Sequence, residues 1–183
     1  MADVATPPLR VVVMGVSGCG KSTIGQALAA ALGLSYLEGD ALHPAENVAR
    51  MAAGIALTDA DRQSWLQAIA HELNRAAGGL VVSCSALKRS YRDLLRSAAP
   101  GLQLVHLHGD AALLAARMQE RRGHYMPPSL LQSQLDTLEG PGDDEGAITI
   151  DFAEPAPSII DALLSRLKPF TAPSLTPSAK AAL

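Results

Sequence analysis

The sequence predicts an α/β sandwich built on a mostly parallel sheet. Short apolar runs alternate with longer stretches of helical period along the chain. The runs lack polar alternation, as strands buried on both faces do. The first run leads into a glycine-rich turn that opens a helix, the strand–turn–helix order of a parallel architecture. At 183 residues the chain is the length of one domain, and 48% hydrophobic against 18% charged residues suits a packed core rather than disorder.

Each element carries its own signal. After a leader at residues 1–9 that reads as flexible, Arg10–Met14 (RVVVM) is the first strand. Ile24, Leu28, Ala31 and Leu32 fall on one helical face, and Gly33 stands where a C-terminal glycine cap belongs. Ser35–Leu37 reads as the next strand. Pro44 suits a first helical residue, and His43, Asn47 and Arg50 follow at steps of four and three, near one face. Thr58 ahead of Asp59-Ala60-Asp61 is a capping box with Asp in place of Glu. Leu66, Ile69 and Leu73 extend that helix as an apolar stripe, which Gly78-Gly79 ends. Leu80–Ser83, Gln103–Leu107 and Ala147–Ile150 read as further buried strands. Gly140–Gly146 (GPGDDEG) reads as a solvated turn. Ile159, Ile160, Leu163, Leu164 and Leu167 form a last amphipathic helix stopped by Pro169. One domain over residues 10–170 is expected, with a flexible tail at 171–183.

Composition excludes several classes of function. A net charge of −3 and a pI near 5.9 give no global basic field for nucleic acid or an anionic membrane. Aromatic residues at 3% supply no base-stacking platform. Cys19 and Cys84 are too few for a disulfide framework or a cysteine-rich zinc site, and such low usage fits a reducing cytoplasm. No signal peptide is expected, and no run approaches the ~20 apolar residues of a membrane span. His71, His106 and His108 form no metal constellation and read as structural.

Residues Gly15–Ser22 read G-V-S-G-C-G-K-S, the phosphate-loop pattern, in its required setting between a strand and a helix. Gly15, Gly18 and Gly20 let the backbone turn tightly and bring N–H groups, those of Ser17 and Cys19 included, close to phosphate oxygens. The helix starting near Lys21 adds unpaired N–H groups and the positive end of its dipole. Lys21 reaches the β- and γ-phosphates, Ser22 offers a hydroxyl to Mg²⁺, and Thr23 adds one near the α-phosphate.

The loop alone does not say which kind of nucleotide protein this is. No Asn/Thr-Lys-X-Asp element is present to read guanine, and no motor signature occurs. Asp40 falls just past a strand, at the carboxyl edge where such sheets bind ligands. A carboxylate there can take a proton from an attacking hydroxyl or hold Mg²⁺ through water. These features suit a small-molecule kinase. The acceptor stays open at this point, with shikimate, adenylylsulfate and a nucleoside monophosphate among the candidates, and a non-catalytic nucleotide sensor is a competing reading.

Five blocks carry a more specific resemblance: Met14–Thr23 (MGVSGCGKST), Glu38–Leu66 with its LHPAEN, Val81–Arg96 (VVSCSALKRSYRDLLR), Val105–Asp110 (VHLHGD) and Arg117–Glu139. Together they resemble the small P-loop gluconokinases, relatives of shikimate and nucleoside monophosphate kinases, with Ala41 standing where that family often has an acidic residue. The resemblance implies a P-loop kinase sandwich with a five-stranded sheet flanked by helices, and a mobile helical lid around 121–131. It implies ATP-dependent phosphorylation of D-gluconate at the 6-hydroxyl, with ATP and Mg²⁺, in a cytoplasmic homodimer without nucleic-acid or membrane partners. Under this reading Asp40 and Lys21 are catalytic, and Ser22 holds Mg²⁺ with Asp40 acting through water. Asp40, His43, Asn47, Arg50, Lys88, Arg89, Arg92, Arg121 and His124 surround the sugar acid. Arg117 stacks on adenine, and Arg121 also serves the nucleotide.

Overall fold

The computed structural model describes residues 7–120 and 129–167. Strands β1 (Arg10–Met14), β2 (Ser35–Glu38), β3 (Leu80–Ser83), β4 (Gln103–His108) and β5 (Ile148–Asp151) form one sheet in the order β2-β3-β1-β4-β5. Every pairing is parallel. Helices α1 (Lys21–Leu32), α2 (Ala45–Ala52), α3 (Asp59–Arg75), α4 (Arg89–Ala98), α5 (Ala111–Glu120), α6 (Ser129–Thr137) and α7 (Ala156–Leu167) complete the described chain.

The unbroken apolar strands follow from burial on two faces. Along β1, Val11 and Val13 enter a core with Leu28 of α1 and Leu163 of α7. Val12 and Met14 point the other way, into a core with Ile69 of α3 and Leu95 of α4. Strand alternation thus divides one apolar run between two hydrophobic layers. Gly33 caps α1 in the left-handed conformation, with φ 67°. Thr58 starts α3 with the expected reciprocal box: its hydroxyl accepts from Asp61 N–H, and Asp61 accepts from Thr58 N–H at 2.7 Å.

Some boundaries move. β2 and β4 each run one residue further than the sequence suggests, to Glu38 and His108, and β5 spans Ile148–Asp151 rather than 147–150. Pro44 precedes α2 in an extended conformation instead of opening it. Of the expected lid, residues 121–128 lie outside the described residues, while Leu130 and Leu131 belong to α6 and are buried. Residues 1–6 and 168–183, which hold most of the expected leader and all of the tail, also lie outside.

The acidic segment Gly140–Gly146 is not simply solvated. Asp143–Glu145 forms a 3₁₀ turn that folds back on α4, and the Glu145 side chain is 1% exposed. Its carboxylate accepts from Arg92 Nε and Nη2, both at 2.7 Å, and from Arg96 Nη1 at 2.8 Å. Arg92, itself fully buried, also donates to the carbonyls of Ala86, Leu87 and Glu139. Hydrogen bonds from Arg92 hold the Glu145 pKa down to about 2, against the opposing effect of burial. Glu139 adds a clamp: its carboxylate accepts the first amide of α4, from Arg89, at 2.7 Å.

Because Glu145 titrates lower in the folded chain than in the unfolded one, its contribution to stability is present above the unfolded value, about 4.3. That contribution is lost as pH falls from there toward 2. Glu145→Gln leaves Arg92 as an uncompensated buried charge and should cost about 3–5 kcal/mol in urea unfolding at pH 7. The cost should shrink as the measurement moves toward pH 3. Disruption of the exposed Arg89–Asp144 pair should leave the unfolding midpoint nearly unchanged.

Candidate active site

Parallel strands send all their carboxyl ends to one edge, and the candidate site is built there. The glycine-rich loop leaves β1, the central strand of the five. Gly15 adopts φ 142°, and a Cβ on it would stand 2.6 Å from the Leu107 carbonyl oxygen, so only glycine lets the loop lie against β4. Gly20, at φ 96°, is the N-terminal cap of α1 and carries no side chain to take the first amides of that helix. The amino end of α1 is therefore built to receive an anion.

The loop separates two cavities. One spans about 510 Å³ of space between the atoms, its solvent-open mouth included, and Ser17, Lys21, Asp40, His43 and Arg62 supply its main polar groups. The other, of about 1080 Å³, lies on the β4–β5 side, between Gly18–Thr23 of the loop, Arg117 of α5 and the Phe152–Ala156 turn after β5. Arg117 sits over the Phe152 ring, 5.2 Å from its centroid, and donates to the Phe152 carbonyl at 3.1 Å. Cys19 is buried in the wall of this cleft.

Asp40 reaches the first cavity because of how β2 ends. Glu38 lies opposite Ser83 in the β2–β3 register, and the 3₁₀ turn Gly39–Leu42 starts directly after it. A Cβ on Gly39 would fall 2.1 Å from the Ser83 carbonyl oxygen, so β2 can close on β3 only with glycine here. Trp65 Nε1 donates to the Gly39 carbonyl at 2.7 Å from within the core. The same indole stacks on His43, with ring centroids 4.2 Å apart. Trp65 thus fixes both ends of the turn that presents Asp40. Burial pushes the His43 pKa down, opposed by Asp40 and assisted by Arg62, which favours a neutral imidazole.

Sequence reasoning missed Glu38. Burial alone would raise its pKa, yet hydrogen bonds from Ser22, Ser83, Tyr36 and the Asp40 amide outweigh that and lower it. Tyr36 donates to Glu38 at 2.8 Å, and Ser83 also donates to the Glu38 carboxylate. The carboxylate in contact with Ser22 is therefore Glu38. Ser22 and Glu38 offer hard oxygen donors beside the phosphate loop, a set that fits Mg²⁺.

The structure gathers some of the expected residues and sends others elsewhere. Lys21, Ser17, Asp40 and His43 line one cavity. Asn47, buried, donates to the Asp61 carbonyl at 2.7 Å, and Arg50 pairs with the Asp61 carboxylate at 3.6 Å, so both dock α2 on the start of α3. Lys88 pairs with Asp59 at 2.8 Å and Arg89 with Asp144 at 2.5 Å. Arg92 is fully buried and held on Glu145 at 2.7 Å. None of these five lines the cavity. The cation that does so beside Lys21, among the described residues, is Arg62, on the same face of α3 as Leu66, Ile69 and Leu73. Its position on an otherwise apolar stripe was the available signal. Arg121 and His124 lie outside the described residues. His106 is buried with its pKa lowered to about 4 by burial, and no group of three metal-binding side chains occurs among the described residues.

Residues 11–141 match the profile of a family described as an AAA domain. The chain is 50% identical over 157 residues to a gluconokinase of Gluconobacter oxydans, covering 84% of this chain and 87% of the relative. A solved gluconokinase from Sinorhizobium meliloti superposes with a TM-score of 0.82 at 52% identity, covering 90% of this chain and 94% of that one. An unliganded sugar kinase from Janibacter superposes with a TM-score of 0.85 at 46% identity, covering 88% and 95%.

Trp65→Phe removes the donor to the buried Gly39 carbonyl and should cost about 1–3 kcal/mol by chemical denaturation. A Trp65→Phe chain as stable as the parent would show that the indole N–H does not hold this turn.

Proposed function

The chain belongs to the gluconokinases, a family of P-loop kinases, and from that premise we propose that the two cavities flanking the phosphate loop seat ATP and D-gluconate. The enzyme transfers a phosphoryl group from ATP to gluconate. In our reading the accepting group is the 6-hydroxyl and the product 6-phosphogluconate. The observation that carries this reading is the shared wall: Lys21 and Ser17 of the phosphate loop face the same cavity as Asp40, His43 and Arg62.

The base and ribose of ATP occupy the cleft on the β5 side, where Arg117 stacks on adenine. The phosphates follow the Gly18–Thr23 amides across the end of α1, so the terminal phosphate emerges beside Lys21. Mg²⁺ would be held by the Ser22 hydroxyl and, through water, by Glu38 and Asp40. When bound, it neutralises charge on the phosphate oxygens. Asp40 orients the attacking hydroxyl and accepts its proton. Lys21 offsets charge on the transferring group.

Arg62 takes the part first given to Lys88, Arg89 and Arg92. A carboxylate leaving water needs a charge-assisted partner, and Arg62 is a half-buried guanidinium with Tyr91 at 3.5 Å. Neutral His43 and the hydroxyls of Ser85 and Ser133 suit the polyol chain. Both cysteines are buried and neither is in a disulfide, which fits a cytoplasmic enzyme. A homodimer, as the resemblance implies, would be checked by sedimentation.

An acceptor panel read by ADP release tests the function. Gluconate should support turnover, while shikimate, adenylylsulfate and nucleoside monophosphates should not. Turnover restricted to one of the latter would overturn the gluconate reading. Asp40→Asn should lower kcat about 10²–10⁴-fold. Arg62→Met should raise KM for gluconate about 10–100-fold, as expected for one charge-assisted hydrogen bond, with a smaller effect on KM for ATP. An unchanged gluconate KM would remove Arg62 from carboxylate binding.

A further inference from the structure

The terminal-phosphate end of the loop is engaged by protein oxygens. Ser17 N–H donates to Gln134 Oε1 at 2.7 Å, and Lys21 Nζ donates to the Val16 carbonyl at 3.0 Å. The first contact joins residues 117 apart in sequence and brings a side chain of α6 onto a loop residue only 6% exposed. Ser17 and Lys21 are also the two loop residues that face the acceptor cavity, whereas Gly18, Cys19, Gly20 and Thr23 face the nucleotide cleft. A phosphate chain running from that cleft therefore ends where Gln134 now accepts from Ser17.

Gln134 also lines the acceptor cavity, together with the adjacent Ser133 and with Leu130 one turn earlier on α6. The helix itself is tethered: Leu131 is in the core, and Glu139 N–H donates to the Leu87 carbonyl at 2.8 Å just past its end. A change at this contact falls to the side chain.

Resting on the gluconokinase reading above, we propose that Gln134 couples the donor's terminal phosphate to acceptor binding. Without triphosphate, its carboxamide oxygen occupies the Ser17 amide. A terminal phosphate oxygen, as a charged acceptor, makes the stronger bond to that N–H and displaces it. The displaced carboxamide oxygen, already on the cavity wall, then accepts from a hydroxyl of the sugar acid. ADP, lacking the third phosphate, leaves Gln134 on Ser17. By linkage, gluconate should favour ATP over ADP by the same factor.

The test is the gluconate dissociation constant of the intact protein with ADP·Mg²⁺ and with a non-hydrolysable ATP analogue and Mg²⁺. The analogue should tighten gluconate binding about 3–10-fold relative to ADP, the value of one hydrogen bond. Gln134→Ala should bring that ratio below twofold. Gln134→Glu, the same shape with a charge, still accepts from Ser17 but repels a terminal phosphate. It should weaken the analogue about tenfold while leaving ADP affinity nearly unchanged, and it serves if the alanine variant fails to fold. A parent ratio of one, a parent-like ratio in Gln134→Ala, or equal losses of analogue and ADP in Gln134→Glu would each overturn the proposal. Gluconate-dependent ADP release by the parent is measured alongside. Its presence with an unchanged ratio sinks only the role of Gln134, whereas its absence sinks the gluconokinase reading and this proposal with it.

Discussion

The central position of β1 is the constraint on which the rest depends. In an all-parallel sheet every carboxyl end opens on one edge, and the loop after the middle strand has neighbours on both sides. A phosphate loop placed there becomes a partition. One face meets the β4–β5 side and the other meets the ends of β2 and β3. In the reading proposed above, donor and acceptor approach a single lysine from opposite directions, with the phosphate chain threaded along helix amides between them.

Much of this was legible in the sequence, for physical reasons. Strands buried on both faces must be apolar throughout, so β1 and β3 were readable to the residue. The Thr58–Asp61 box and the Gly33 cap are local hydrogen-bonding devices that need no tertiary knowledge. The phosphate loop and the strand-end Asp40 follow from backbone geometry and topology alone. Charge partners did not yield in the same way. Glu145 sits in a glycine-rich acidic loop that reads as solvated, and its partner Arg92 is 53 residues away. Lys88, Arg89 and Arg92 looked like a substrate clamp because they follow a strand, yet each is paired with an acidic residue. Glu38 fell just past the strand the sequence suggests, and its use depends on which residue of β3 stands opposite. Gln134 could be found only once α6 was placed against the loop.

The basic residues of α4 show how an acidic chain deploys its cations. Arg92 and Arg96 share Glu145, and Arg89 meets Asp144, so the segment after α6 is stitched to the helix after β3. A buried ion pair contributes little net stability compared with apolar packing, but once formed it tolerates no unpaired alternative. It therefore fixes where α6 ends and keeps its cavity-facing residues in register with the phosphate loop. Arg62 and Lys21 instead line the cavity that holds Asp40.

The contact between Trp65 and His43 has an optical corollary. The chain contains a single tryptophan, so all of its indole emission originates from one place: beneath the turn that carries Asp40, in face-to-face contact with an imidazole. Imidazole stacking makes that emission responsive to proton uptake by the ring and to the wetness of the chamber beside it. The fold has thereby installed a native fluorophore in the wall of the Asp40 cavity, and occupancy of that cavity can be followed by light without attaching a dye.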